Sequence, residues 1–261
     1  ENSFAAFALG KLYLAGDAAL PRDPAAALKW LTYAAELGNQ FAQYRLGKLL
    51  LKGDDGIPKD VITAIRWLTA AAKQENGYAE YALALVYLTG EDAPKDSVKA
   101  LSLLKRSAGR GNQFAQYRLG KLLLQGEDAP KDVKAAIRWL TAAAEQGNQY
   151  AQYALGKLYL LGKEVPKDRS SAIKWFQLAA DQGNEYAQYF LKHMDDRLGQ
   201  PPVAAVISLF HHLANIFQEQ NQPPPSGGVR VAVDRKLLRK IKAKKIAQGH
   251  KADDHEPEMQ L

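Results

Sequence analysis

The side chains best suited to holding another molecule are aromatic, and they recur. Phe7, Tyr44, Tyr81, Tyr117, Tyr153 and Tyr189 follow one another at intervals of 36 or 37 residues. Four positions after each stands Lys11, Lys48, Leu85, Lys121, Lys157 or His193, which shares its face if the segment is helical. A tyrosine supplies rigid contact area and a neighbouring ammonium supplies charge, a combination suited to gripping an extended peptide. A second reading has each ring packed between neighbouring units and each lysine solvated, since aromatic stripes at helical spacing serve cores. Arg45 and Arg118 add basic character to the same region.

The other candidates for chemistry are weaker. The five histidines form no metal signature. His211 and His212 are adjacent, so on a helix they diverge by about 100°. His250 and His255 flank Asp253-Asp254, a pattern better suited to a flexible polar end than to a metal cluster. Asp54-Asp55, Glu91-Asp92 and Glu127-Asp128 lack the alternating oxygen ligands and closing carboxylate of a calcium loop, and read as solvated. There are no cysteines, which excludes disulfides, thiolate metal sites and cysteine catalysis. The chain holds no His-Glu-x-x-His, no Gly-x-Ser-x-Gly and no phosphate-binding Gly-rich loop. No nucleophile, base and oxyanion donors converge, so neither catalysis nor a cofactor is expected in this chain.

The rings are positioned by a repeat. The leucines Leu9, Leu46, Leu83, Leu119, Leu155 and Leu191 lie 37, 37, 36, 36 and 36 residues apart. A fixed period of that size marks a stacked array of supersecondary units. Residues 112–148 show one unit. Asn112 caps a first helix, on which Ala115, Leu119 and Leu122 or Leu123 recur at helical spacing. Gly126 ends it in a left-handed conformation. Asp132 caps a second helix whose stripe is Ala136, Trp139 or Leu140, and Ala143; Gly147 ends it. Asp60, Asp96 and Asp168 repeat that capping role. Ala115 and Gly120 are small where backbones approach, and Trp139 reads as the large filler. Neither helix can bury its stripe alone, so neighbours stack. Gly16 to Pro21 and Gly53 to Pro58 span five residues, whereas the three later Gly–Pro loops span four.

Ala115, Leu119-Gly120, Gly126, Asp132, Ala136, Trp139, Ala143-Ala144 and Gly147 resemble the pattern of Sel-one-like repeats, relatives of tetratricopeptide repeats. The match runs from about Phe4 to about Met194. The resemblance implies an all-α fold, a right-handed α-solenoid of antiparallel helix pairs used as an adaptor surface. In such arrays the first helices line the concave side, which places Phe7, Tyr44, Lys48, Tyr81, Tyr117, Lys121, Tyr153, Lys157 and Tyr189 there as candidate partner contacts. The third copy departs from the pattern. Leu103 replaces the Trp of Trp30, Trp67, Trp139 and Trp175, Ala84 replaces a recurrent Gly, and Glu75 stands where Gly38, Gly111, Gly147 and Gly183 end their helices. Asn76-Gly77 is the alternative terminator, and the joint between the second and third copies is expected to bend differently.

The array of five repeats and a half repeat is assigned to 1–199. Residues 203–219 carry Val203, Val206-Ile207, Phe210, Leu213-Ala214 and Phe217 at helical spacing, so 200–219 reads as a helix capping the open end. Its polar face is poor in Lys and Arg, against a membrane role. Pro and Gly make 220–228 a linker, and 229–261 is a basic helical tail with an acidic, disordered end. From Arg235 to Lys251 there are eight Lys or Arg and no Asp or Glu. Arg235, Lys236, Arg239, Lys240, Lys242, Lys244 and Lys245 are therefore candidate DNA contacts. The tail supplies +4 of the net +7, from nine basic and five acidic groups. Array and tail together resemble the C-terminal end of large mobilisation relaxases from gut Firmicutes; none of their catalytic His or Tyr residues is matched here. The chain begins at Glu1 without an initiator Met and reads as a fragment or processed product, with a signal peptide or further domain lying outside it. No apolar run is long enough to span a membrane. The expected partner is another protein or peptide on the concave face, with DNA through the tail as the rival and a cytoplasmic location.

Overall fold

The structure, a computed structural model, describes residues 2–16, 20–53 and 56–194. The chain divides into two units, Glu1–Asp196 and Arg197–Leu261. The segments assigned to a capping helix, a linker and a basic tail, with Arg235 and its neighbours, lie outside the described residues.

Among the described residues the first unit is built of helices. In order it holds α1 (Ser3–Ala15), α2 (Pro24–Glu36), α3 (Gln40–Lys52), α4 (Val61–Lys73), α5 (Gly77–Thr89), α6 (Ser97–Gly109), α7 (Gln113–Gln125), α8 (Val133–Glu145), α9 (Gln149–Leu161), α10 (Arg169–Asp181) and α11 (Glu185–Met194). Consecutive helices pair into five repeats, and α11 opens a sixth. Each helix packs mainly on its neighbours in sequence, as a stacked array requires.

Local signals set these boundaries. The carboxamide of Asn112 accepts from the backbone N–H groups of Phe114 and Ala115 at 3.0 and 3.1 Å, satisfying two donors that the first turn leaves unpaired. Asp132 does the same for Ala135 at 2.9 Å. The Asp132 N–H also donates to Leu123 O at 2.9 Å, which pins the start of α8 beside the end of α7. Gly126, Gly90 and Gly162 take the left-handed conformation. In the two loops with an extra residue, Gly16 and Gly53 keep a positive φ but open to ψ 151° and 130°.

Ala115, Leu119, Ala136, Leu140 and Ala143 are fully buried. A Cβ on Gly120 would lie 2.7 Å from Leu140 Cγ and 3.1 Å from Ala136 O, so the helices touch there because that side chain is absent. The sequence reading misplaces the filler. Leu140 is buried, whereas Trp139 is partly buried at the edge of the core. Trp30, Trp67 and Trp175 are likewise partly buried, beside the fully buried Leu31, Leu68 and Phe176. The residue after each Trp fills the gap, and the indole shields its rim.

At the joint before the third repeat, Glu75 itself takes the turn conformation. Its φ is 65°, against 84° to 89° for Gly38, Gly111, Gly147 and Gly183. It is the one non-glycine residue with positive φ among the described residues. Asn76 donates to Ala71 O there, as Asn148 donates to Ala143 O in the next turn but one. The backbone turn is therefore the common one, and Asn76-Gly77 does not replace it: Asn76 caps α5 instead.

Candidate functional site

The recurrent aromatics sit in the middle of the first helices, and the first five each meet a ring of the next repeat. Phe7 lies 6.4 Å from Phe41, Tyr44 5.9 Å from Tyr78, Tyr81 6.3 Å from Phe114, Tyr117 6.1 Å from Tyr150 and Tyr153 6.0 Å from Tyr186. These centroid distances are those of interacting aromatic pairs. The face thus carries two interlocked ladders. The second ladder, missed in reading the sequence, occupies the first turn of each first helix. Its signal was present: an aromatic stands three residues before each ladder ring, the spacing that puts both on one helix face.

The two ladders differ in exposure. Phe7, Tyr44, Tyr81, Tyr117 and Tyr153 are half-buried, while Phe41, Tyr78, Phe114 and Tyr150 are between 42% and 54% exposed. Burial raises the phenol pKa of Tyr44, Tyr81, Tyr117 and Tyr153. These rings therefore form contacts between repeats while still offering an edge to the face. Tyr189 is exposed and lies edge-on to Phe190 at 5.8 Å.

The cations are unevenly placed. Lys48 and Arg45 are exposed, but Lys121, Lys157 and Arg118 are partly buried. Burial pushes the Lys121 ammonium below the usual lysine range, helped by the Arg118 charge. Burial does the same at Lys157, helped by Lys121 and Lys163. The Nε of Arg118 is buried without a hydrogen-bond partner. The fourth and fifth repeats thus hold a desolvated positive strip beside half-exposed rings. In the first repeat Lys11 Nζ sits 5.8 Å from the Phe7 centroid, a cation–π contact. In the third, Leu85 interrupts the row.

A second buried feature escaped the sequence reading. Gln43, Gln116, Gln152 and Gln188 each precede a ladder tyrosine. Their amides donate to Ala35 O, Ala108 O, Ala144 O and Ala180 O at 3.0 to 3.2 Å. Gln74, Gln146 and Gln182 donate in turn to the side-chain oxygens of Gln43, Gln116 and Gln152 at 2.7 to 2.8 Å. In the third repeat Glu80 and Arg110 replace the two glutamines. Fully buried Glu80 meets Arg106 at 2.6 Å and Arg110 at 3.4 Å, and Arg110 also meets Glu75 at 2.9 Å.

The acidic loop residues are not simply solvated. Asp92 pairs with Lys59 at 2.6 Å, Asp128 with Lys95 at 2.8 Å and Glu164 with Lys131 at 2.7 Å, each joining one repeat's loop to the next. No group of three or more His, Asp or Glu is placed to hold a metal ion among the described residues. No helix among them is long and apolar enough to cross a membrane.

Five consecutive segments, 3–39, 40–76, 77–112, 113–148 and 149–184, match the Sel1 repeat. The chain belongs to the Sel1 repeat family. Among solved structures it is similar to a protective antigen of uropathogenic Escherichia coli displaying an SLR fold, with 34% identity and a TM-score of 0.67 over 76% of this chain and 42% of that one. A Sel1 repeat protein from Oxalobacter formigenes also matches with 34% identity and a TM-score of 0.67, over 74% of this chain and 56% of that one. An immunity protein from Pseudomonas aeruginosa shares the fold, with a TM-score of 0.51 at 22% identity over 78% of this chain and 74% of its own. This chain thus spans about half the length of the first two. No curated protein sequence matches it. Sel1-repeat proteins generally act as protein-interaction scaffolds, and the α-solenoid expectation holds.

Proposed function

We propose that this chain is a non-catalytic scaffold that captures an extended polypeptide along its first-helix face. The observation that supports this most is the coincidence of half-exposed rings with desolvated cations over α7 and α9. Tyr117, Tyr150 and Tyr153 offer contact area, while Lys121, Lys157 and Arg118 already lack much of their hydration. A partner carboxylate arriving there gains a charge-assisted hydrogen bond at reduced desolvation cost. The preferred ligand is thus an extended peptide with acidic and apolar residues in alternation.

A displayed library of random peptides, panned on the chain, tests the proposal. The wild type enriches an acidic, apolar consensus, and the Tyr117→Ser/Tyr153→Ser variant loses it while keeping its helical circular dichroism. A variant that unfolds favours the reading in which the rings only join repeats. Retained binding moves the site elsewhere.

The basic tail supports a second proposal. Its eight Lys or Arg between 235 and 251 suit contact with nucleic-acid phosphates. On that proposal the chain is the accessory C-terminal region of a larger cytoplasmic DNA-mobilisation protein of the relaxase kind. Duplex DNA binding that falls steeply with salt, and is lost in 1–228, is the expected result; equal behaviour of 1–261 and 1–228 removes the tail from consideration.

A further inference from the structure

The third repeat has lost its own indole, and a cleft of about 150 Å³ lies beside the residue that replaces it. Leu103 stands where the other four repeats carry Trp30, Trp67, Trp139 and Trp175. Ala72, Leu83 and Leu103 give the cleft apolar walls. Lys73, Lys99 and Arg106 also line it, and no carboxylate does. These cations belong to this repeat joint alone. Lys99 occupies the position of Ala26, Thr63, Ala135 and Ser171; Arg106 that of Tyr33, Ala70, Ala142 and Leu178; Lys73 that of Glu36, Glu145 and Asp181. Lys99 Nζ donates to the Tyr87 hydroxyl at 2.9 Å and lies 4.0 Å from that ring's centroid, which holds the charge at the cleft wall. Arg106 reaches Glu80 at 2.6 Å and remains half exposed.

We propose that this cleft, between α4 and α6 and floored by α5, takes an aromatic side chain of a partner peptide whose flanking residues are acidic. The apolar walls receive the ring in place of the missing indole, and the three cations receive the carboxylates. A planar ring suits a shallow apolar slot, and desolvated aromatic anchors with charged surroundings are what protein interfaces use. The charge pattern selects against a basic peptide, because three like charges line the entrance. The competing use of Lys99 and Arg106, as stems that fill the space a tryptophan left, predicts no ligand at all.

Isothermal titration with acetyl-Asp-Asp-Trp-Asp-Asp-amide, against the same peptide with Ala for Trp, decides between them. The Trp peptide is expected to bind one per chain and at least ten-fold tighter than the Ala peptide. Leu103→Trp fills the cleft with the residue the other repeats carry, so it should fold and weaken binding ten-fold or more. Lys73→Glu/Lys99→Glu, a surface change, provides the same loss should Leu103→Trp fail to fold. Leu103 lies on α6, a second helix, so a loss caused by Leu103→Trp separates the cleft from the first-helix face. No binding, equal binding of the two peptides, or undiminished binding by the folded Leu103→Trp chain overturns the proposal.

Discussion

The third and fourth repeats share one backbone plan and solve its buried polar position in opposite ways. In the fourth, Gln116 and Gln146 form a neutral relay that also satisfies Ala108 O. In the third, Glu80 and Arg110 take those two positions and Arg106 joins them. The two positions match in every repeat, with Gln43 and Gln74, Gln116 and Gln146, and Gln152 and Gln182 alike, and they change together in the first, Ala6 with Leu37, and the third, Glu80 with Arg110. The site accepts an apolar, a neutral polar or a charged pair, provided both members match, because an unmatched buried polar group costs more than the pair is worth. The third repeat also trades Trp for Leu103 and Gly for Ala84, so it departs in packing as well as charge. An array can therefore carry one specialised joint without losing its period, since each repeat answers only to its neighbours.

The largest way to break this comparison is Arg106→Ala. It leaves the Glu80 carboxylate buried with only the longer Arg110 contact and should destabilise the array by about 2–3 kcal/mol in urea unfolding. The matching loss in the fourth repeat, Gln146→Ala, should cost about 1 kcal/mol. Equal losses would mean that the charged cluster is no different in kind. The Glu80→Gln/Arg110→Gln double change rebuilds the neutral relay and should be neutral or stabilising, with a weaker dependence of the melting temperature on salt.

Packing sharpens the same contrast at smaller cost. Gly120→Ala drives a Cβ to 2.7 Å from Leu140 Cγ and should cost about 2 kcal/mol in thermal or chemical unfolding. The reverse change in the third repeat, Ala84→Gly, removes a fully buried methyl as well as helix propensity and should cost about 1–2 kcal/mol. A negligible penalty for Ala84→Gly would contradict packing of the third repeat on that methyl.

The smallest effect is electrostatic and lies in the fifth repeat. Hydrogen bonds from Ser170, then Ser171, hold the Asp168 carboxyl down to about 2. Its folded pKa is below its unfolded one, so its contribution is present above about pH 4 and is lost as pH falls toward 2. The fifth-repeat variant Ser170→Ala/Ser171→Ala should flatten the fall of melting temperature across that window. An unchanged profile would leave Asp168 as a cap without a pH role.

Much of the fold could be read from the residues because the period repeats every signal five times. Asn112, Gly126, Asp132 and Gly147 are legible as caps since backbone termini ask for those residue types by chemistry. Trp139 misled because size suggests a filler, while burial is decided by which face of α8 meets α7, and that face presents Leu140. The Tyr117 and Lys121 row was legible from spacing. Phe114 and Tyr150 are as regular in spacing, but their partnership with Tyr81 and Tyr117 crosses a repeat boundary and appears only once the repeats stack. The glutamine relay was hidden for the same reason: Gln116 and Gln146 lie 30 residues apart, and Gln116 looks like a surface residue until the stack closes over it.

The scaffold reading of the first-helix face is tested most directly by hydrogen–deuterium exchange on the chain with and without a peptide selected from the library. Added protection concentrated on α7 and α9, centred on Tyr117 to Lys121 and Tyr153 to Lys157, is the predicted footprint. Protection on α8 and α10 with none on α7 and α9 would contradict it and place the binding surface on the second helices.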